Sequence, residues 1–346
     1  MNLTASDIFR CPVCREELVS VASSGEGIEP GEAGAAKGET STVPSGEQLR
    51  CSGCGSVYLE REGIPCFVPE DRFYEGKFTA PTQDGVAQRT GARRAVKTFY
   101  DRWSSTTVKH QFTRDFLSRF GPETLVLDVG CGGGNEVLAP WRTVGIDLSF
   151  AGLRSAREIY QAVATADATA LPFADGTFDI INSWDVFGHV PFDQKGAVLA
   201  EWKRVLKPGG WMLHIIEAHC TAPFYKLVRR DPALFDKYFI ELDGHYGLEL
   251  PSEIEARFRA AGFEVVRNWP FFRAGIFPPE EYSKRLGPEY AARSRLLKRF
   301  AGFGHICDNN KQLDRAASFA AGVVARALNP LLPSDWGSTV FIVARG

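Results

Sequence analysis

The chain has 346 residues, with 40 Lys and Arg against 42 Asp and Glu and a formal net charge of −2. Apolar residues make up 44% of it, enough for a sizeable core in two domains or in one domain with attachments. The even charge balance argues against a general polyanion binder, a local basic patch aside. No apolar run is long enough to span a bilayer, and the opening M-N-L-T-A-S-D-I-F-R-C-P lacks a secretory leader's apolar stretch, so a cytoplasmic setting is expected.

Four of the eight cysteines fall in two pairs, Cys11-Pro-Val-Cys14 and Cys51-Ser-Gly-Cys54. Thiolates spaced this way on tight turns share one metal, and two such turns complete a tetrahedral zinc site. Four thiolates fill the shell, which makes the Zn2+ structural and not catalytic. A redox C-x-x-C opens a helix in a βαβ unit, which neither pair does, and a cytosolic setting disfavours disulfides. Residues 1–70 are therefore expected to form a zinc ribbon. Its gap, residues 22–48, is rich in Gly, Glu, Ser and Ala and is expected as a flexible insertion, because it has too little apolar surface to order itself. Cys66 is expected as a small buried core side chain. Residues 71–94 are expected as a linker.

A helical pattern runs from Ala95 to Phe120. Leu125–Val129 then forms a short apolar run suited to a parallel strand covered on both faces. Gly130, Gly132, Gly133 and Gly134 follow, in a turn that lets backbone N–H groups approach a ligand closely. The next apolar run ends in Asp147, about 20 residues after the first strand, a spacing suited to a ribose diol. A dinucleotide fingerprint would need glycine at 135, where Asn135 stands. Further strands are expected at 143–147, 162–166, 178–183 and 211–217. Residues 251–266 form a capped amphipathic helix, a glycine stop and a strand, and 338–345 the last strand. Residues 267–337 intervene as an insertion with helical patterns near 279–300 and 310–328.

The segments A-D-A-T-A-L-P-F (166–173), T-F-D-I-I (177–181) and E-W-K-R-V-L-K-P-G-G-W (201–211), in this order after the glycine turn, resemble the class I S-adenosylmethionine (SAM)-dependent methyltransferases over about residues 95–220. The resemblance implies an α/β, Rossmann-like seven-stranded sheet over residues 95–346. Its last strand is antiparallel and inserted between its neighbours. It implies SAM as cofactor, with Asp128, Gly130, Cys131 and Gly132 at the methionine part and Asp147 and Leu148 at the ribose. Asp167 and Ala168 fall at the adenine, with Asp185 also in the binding set. An aromatic ahead of the first strand covers the cofactor in related enzymes. Tyr100 and Trp103 are the candidates, ordinary helix packing being the alternative. The segment C-G-S-V-Y-L-E-R-E-G-I-P-C-F-V-P (54–69) resembles the zinc-ribbon activators of the Trm112 type, which bind and stabilise methyltransferases. That resemblance implies such a module fused to its own enzyme.

Methyl transfer is an in-line displacement, so alignment supplies much of the rate. A general base is needed only for an acceptor proton of high pKa. Candidates at the strand ends are Asp185 and His189, then Glu217 and His219, with His245 and Tyr246 on a later loop. The alternatives are that His189 caps or packs a helix and that Glu217 and His219 bind backbone or water. His214, inside a strand, is expected to be structural. The insertion is expected to form part of the substrate pocket or a lid, the alternative being a homo-oligomer surface. Lys284, Arg285, Arg293, Arg295, Lys298 and Arg299 form either a solvated helix face or a site for an anionic or lipid-linked acceptor. Asn182-Ser183-Trp184-Asp185 stands where amide-methylating enzymes carry (D/N/S)-P-P-(Y/F), which disfavours exocyclic amides. The leading expectation is a methyltransferase acting on a small-molecule or biosynthetic-intermediate acceptor at O, N or C. The runner-up is an RNA methyltransferase holding RNA on its ribbon, although Arg10, Arg15, Arg50 and Arg61 face Glu16, Glu17, Glu60 and Glu62 there. A non-catalytic interaction scaffold is the third.

Overall fold

The computed structural model describes residues 8–21, 48–69, 74–83 and 99–346. The expected insertion 22–48, apart from Gln48, therefore lies outside the described residues, as does much of the expected linker. The first elements are β1 (Leu18–Val21), β2 (Gln48–Cys51), β3 (Val57–Arg61) and β4 (Ile64–Cys66), an antiparallel meander. Its last hairpin turns through Glu62 and Gly63, at φ 51° and 76°. Positive φ at both turn residues matches the right-handed twist of the flanking strands.

The remainder is α1 (Val108–Leu117), β5 (Leu125–Val129), β6 (Arg142–Asp147), α2 (Phe150–Ala156), β7 (Ala162–Thr165), β8 (Phe178–Trp184), α3 (Lys195–Val205) and β9 (Leu206–Glu217). After these come α4 (Pro223–Val228), α5 (Pro232–Phe235), a π-helical turn (Asp236–Glu241), α6 (Pro251–Ala260) and β10 (Glu264–Phe271). The chain closes with α7 (Pro279–Arg285), α8 (Pro288–Arg293), α9 (Arg295–Asp308), α10 (Lys311–Leu328) and β11 (Thr339–Arg345). The expected insertion helices are thus four. The first pattern breaks at Gly287-Pro288, because Pro fits the first turn of a helix and not its interior.

The sheet order is β1-β2-β3-β4-β7-β6-β5-β8-β9-β11-β10. Strands β5 to β9 are parallel, and β11 is antiparallel to both β9 and β10, as expected. The expected seven strands are part of an eleven-stranded sheet. The ribbon's β4 adds to the β7 edge in parallel, with Cys66 opposite Thr165 and the Phe67 N–H donating to the Thr165 carbonyl at 3.0 Å. Strand addition satisfies an edge that would otherwise be open.

Val126, Leu127, Asp128 and Val129 are all buried, so β5 is covered on both faces. One face packs on Val198, Leu199 and Trp202 of α3 and on Ile254 and Phe258 of α6, and ribbon residues Phe9, Leu18 and Leu49 join the same core. The other face packs on Phe112 and Phe116 of α1, Leu153 of α2 and Tyr290 of α8. Cys66, half-buried, packs against this second core. His214 stacks on Trp202 with centroids 4.3 Å apart and shares a hydrogen bond with Ser183 Oγ through Nδ1 at 2.7 Å; burial lowers its pKa to about 3.

Residues 74–83, expected within a linker, form a strap across the glycine turn. The Gly133 N–H donates to the Phe78 carbonyl at 2.7 Å, and Thr82 donates to Gly134 and accepts from Glu136. The Glu75 carboxylate accepts from the N–H groups of Phe150 and Ala151 at 3.1 Å each, at the start of α2. A carboxylate there satisfies orphan donors and complements the helix dipole. No helix among the described residues is long and apolar enough to cross a membrane.

Candidate active site and metal centre

The turn after β5 needs its glycines. Gly130 and Gly132 have φ 67° and 50°, and a Cβ on Gly133 would lie 2.4 Å from the Thr79 carbonyl oxygen. Asp147, at the end of β6, accepts from Gly132 N–H and Ser149 N–H at 2.8 Å each, which holds the turn against its neighbouring strand. Asp128 accepts from Tyr160 Oη and Asn182 Nδ2, both at 2.6 Å. Its burial raises the carboxyl pKa to about 6 against those hydrogen bonds. Asp167 Oδ1 accepts from Thr169 N–H and Oγ1 at 2.8 Å.

A cavity of about 710 Å³ opens over this turn. Asp128, Gly130, Cys131, Gly132, Asp147, Leu148, Asp167 and Ala168 line one side. Asp185, His189, Glu217 and His245 line another, with Lys109 of α1 and Glu281, Lys284 and Arg285 of α7. Tyr74 and Phe78 of the strap complete it. The volume lies within the ordinary range for small-molecule sites.

Asp185 sits at the end of β8 with φ 55°, a left-handed conformation uncommon for a non-glycine residue and tolerated by Asp. Its Oδ2 pairs with Lys109 Nζ, while Oδ1 is buried without a hydrogen-bond partner. Burial raises the Asp185 pKa, and the Lys109 charge opposes it. Glu217 Oε2 contacts His245 Nε2 and lies 3.8 Å from His189 Nε2. Both imidazoles are anchored through Nδ1: His189 to the Gly244 carbonyl at 3.1 Å and His245 to the Phe239 carbonyl at 3.0 Å. The π-helical turn presents the Phe239 carbonyl, and such turns recur at functional sites. Although burial disfavours its charge, the His245 hydrogen bond and the charges of His245, Lys109 and Arg285 hold the Glu217 carboxyl well below the usual range.

Three expected residues lie elsewhere. Tyr100 does not line the cavity; its ring stacks on Phe319 at 5.9 Å and its hydroxyl donates to the Arg315 carbonyl. Trp103 is likewise beside α10, its carbonyl accepting from Arg326 Nη1 at 3.0 Å. Helix α10 of the insertion claims this face, and the strap aromatics Tyr74 and Phe78 stand at the cavity instead. His219 also lies off the cavity. Its Nδ1 accepts from Arg229 Nη2 at 3.1 Å, because the chain leaves extended geometry after Glu217. Lys109 escaped notice, since a single lysine on an amphipathic helix carries no motif. The basic cluster is mostly exposed or paired. Arg285 meets Asp243 and Glu281, Lys284 meets Asp243, and Arg293 meets Asp231.

In the ribbon, Cys14 Sγ is 3.2 Å from Cys51 Sγ, and Cys11 Sγ is 3.6 Å from Cys54 Sγ. All four sulfurs lie within 4.8 Å of one another. Tetrahedral zinc–thiolate bonds of roughly 2.3 Å put sulfurs about 3.8 Å apart. The two turns are alike. Arg15 (φ 68°) and Gly55 (φ 75°) each follow the second cysteine, and their N–H groups bond back to Cys11 and Cys51 carbonyls. The N–H groups of Gly53 and Cys54 face Cys51 Sγ at 3.4 and 3.5 Å. The cluster is consistent with a zinc site.

A family model described as "Methyltransferase domain" matches residues 127–214, from β5 into β9. The 2-methyl-6-phytyl-1,4-hydroquinone methyltransferase of Synechocystis is 38% identical over 104 residues, 27% of this chain and 32% of that one. A ubiquinone biosynthesis O-methyltransferase of Thiobacillus denitrificans is 37% identical over 98 residues, 25% and 41% of the two chains. The Aspergillus luteorubrus protein named "Probable methyltransferase ltbC" is 30% identical over 198 residues, 47% of this chain and 67% of its own. The chain thus spans from about a third to two thirds of these relatives' lengths. On the matched domain and this last relative, the chain belongs to the class I SAM-dependent methyltransferases.

Proposed function

We propose that this protein transfers the methyl group of SAM to an oxygen or nitrogen of a small organic acceptor. The observation that carries the reading is one continuous cavity joining the glycine turn to a wall of Asp185, His189, Glu217 and His245. SAM supplies a methyl group activated by its sulfonium. The side of the cavity lined by the turn, Asp147 and Asp167 suits that ligand. Added Cβ atoms at Gly132 and Gly133 would meet strap backbone at 2.8 and 2.4 Å, so glycine there makes room for the strap. Asp128, with the turn at 130–132, would hold the methionine part, Asp147 and Leu148 the ribose, and Asp167 and Ala168 the adenine. The strap excludes water from the turn. Asp185 Oδ1 is buried, unpartnered and on the acceptor side, so it is the oxygen placed to accept an acceptor's proton.

The acceptor end favours a neutral or basic molecule over an anionic one. Its cations Lys109, Lys284 and Arg285 already pair with Asp185, Asp243 and Glu281. The relatives named for hydroquinone and ubiquinone substrates agree with a small acceptor. In this reading the four ribbon thiolates hold a structural Zn2+ that braces the β7 edge, as a Trm112-type module would. The test is transfer of labelled methyl from SAM to a panel of phenols, alcohols, amines and RNA, with SAM binding measured by calorimetry. Label on a small molecule supports the reading. A chain that does not bind SAM, or that labels RNA alone, defeats it.

A further inference from the structure

We infer that His189, Glu217 and His245 form a second metal site, holding a divalent transition ion at the acceptor end of the cavity. The inference deepens the methyltransferase reading and rests on it for the ion's use.

Three facts point the same way. The three ligand atoms, two imidazole nitrogens and a carboxylate oxygen, lie within 4.8 Å of one another. Both Nδ1 atoms face backbone carbonyls, of Gly244 and Phe239, and must carry the hydrogen there. Both Nε2 atoms then face Glu217 Oε2, His245 in hydrogen-bonding contact and His189 at 3.8 Å. Without an ion, a proton on His245 Nε2 bridges that ring to the carboxylate; a divalent ion would displace this proton and hold all three atoms together. A ring whose other nitrogen donates to a backbone carbonyl is also the usual posture of a metal-bound histidine.

The chemistry of the donor set selects the ion. Imidazole suits first-row transition ions over Mg2+ or Ca2+, and two His with one carboxylate leave coordination positions open. All three residues line the cavity, so those positions face the acceptor. The surroundings tolerate added positive charge. Asp185, Asp243, Glu217 and Glu281 outnumber Lys109, Lys284 and Arg285 on this wall.

The ion would hold an acceptor hydroxyl oxygen and stabilise its anion. The hydroxyl proton passes to Asp185 Oδ1. The oxygen forms its bond to the methyl carbon as the carbon–sulfur bond breaks. That electron pair stays on sulfur, which leaves uncharged.

The test uses the full chain with its ribbon cysteines already loaded with zinc, and Co2+ as the probe. Binding is followed by visible d–d absorption and by metal content after gel filtration. Co2+ on thiolates adds a near-ultraviolet charge-transfer band that a His–carboxylate site lacks, so the two centres are separable. The expected result is one Co2+ per chain beyond the ribbon ion. Glu217→Gln and His189→Ala should each weaken it at least about tenfold, while His219→Ala, off the cavity, leaves it unchanged. SAM binding by each variant shows that it is folded. No ion beyond the ribbon's, or equal Co2+ affinity in Glu217→Gln and His189→Ala, overturns the inference. Loss of SAM binding by the native chain would instead count against the methyltransferase reading.

Discussion

The Gly133 N–H donates to the Phe78 carbonyl at 2.7 Å, which fastens the strap of residues 74–83 across the turn that lines the cavity floor. The turn and the strap are therefore one unit, and a change on either side is felt by both. Gly133→Ala tests this. The new methyl would lie 2.4 Å from the Thr79 carbonyl oxygen and 2.6 Å from the Ala80 carbonyl carbon, both backbone atoms that cannot rotate aside. Overpacking of this kind costs about 1–3 kcal/mol. We expect SAM affinity, measured by calorimetry, to fall roughly 5- to 150-fold if that energy is taken from the bound state. Native affinity in a folded variant would show that the strap is dispensable for binding.

Metal removal from the ribbon should lower the melting temperature of the whole chain. Strand β4 pairs with β7, and Phe9 packs on Phe173 with centroids 5.5 Å apart, so ribbon and sheet share hydrogen bonds and core. Binding of a structural metal is folding free energy. Cys14→Ser, or a strong chelator, should give one cooperative calorimetric transition at reduced temperature. A separate low-temperature transition with the main one unmoved would mean that the ribbon stands alone.

Asp128 sets a pH dependence of stability. Its carboxyl is raised by burial from 3.8 to about 6 in the folded chain. Between those values the folded chain keeps a proton that the unfolded chain has released. Stability of the ligand-free protein therefore falls as pH rises from about 4 to 6, and it stays reduced above that. The full effect of this group is up to roughly 3 kcal/mol. Urea unfolding across this range should show the slope in the native chain and a shallower one in Asp128→Asn. Identical slopes would count against it.

Lys109→Met should destabilise the chain by about 1–3 kcal/mol. It removes the charge facing Asp185 Oδ2, and the full cost of breaking a buried pair is reduced because the two side chains are 28% and 31% exposed. The double variant Lys109→Met, Asp185→Asn should recover part of that stability without recovering activity. A double variant no more stable than Lys109→Met would show that the pair does not set the cost.

The glycine-turn side of the cavity was largely legible in the sequence because its residues are local. An apolar run, its glycine turn and the acid ending the next run are set by the pleat of two adjacent strands and by backbone sterics. They reach the cavity together as Asp128, Gly130, Gly132 and Asp147. The paired cysteines were legible for the same reason, since each pair is one turn. Tyr100 and His219 were misplaced where a neighbour decides. Helix α10 takes the face that Tyr100 presents, and the bend after Glu217 sends His219 to Arg229.

On the opposite wall Asp185, Glu217, His245 and Arg285 stand out in the sequence one by one, and only the tertiary structure brings them together with Lys109. Lys109, Asp185, Glu217, His245 and Arg285 come from five separate segments. No periodicity links them; they converge because β8 and β9 end side by side and the insertion folds back over those ends. The strap and the ribbon's place on the β7 edge were decided in the same way. They rest on backbone hydrogen bonds between distant segments, and such bonds depend on where the chain runs and hardly at all on which side chains it carries.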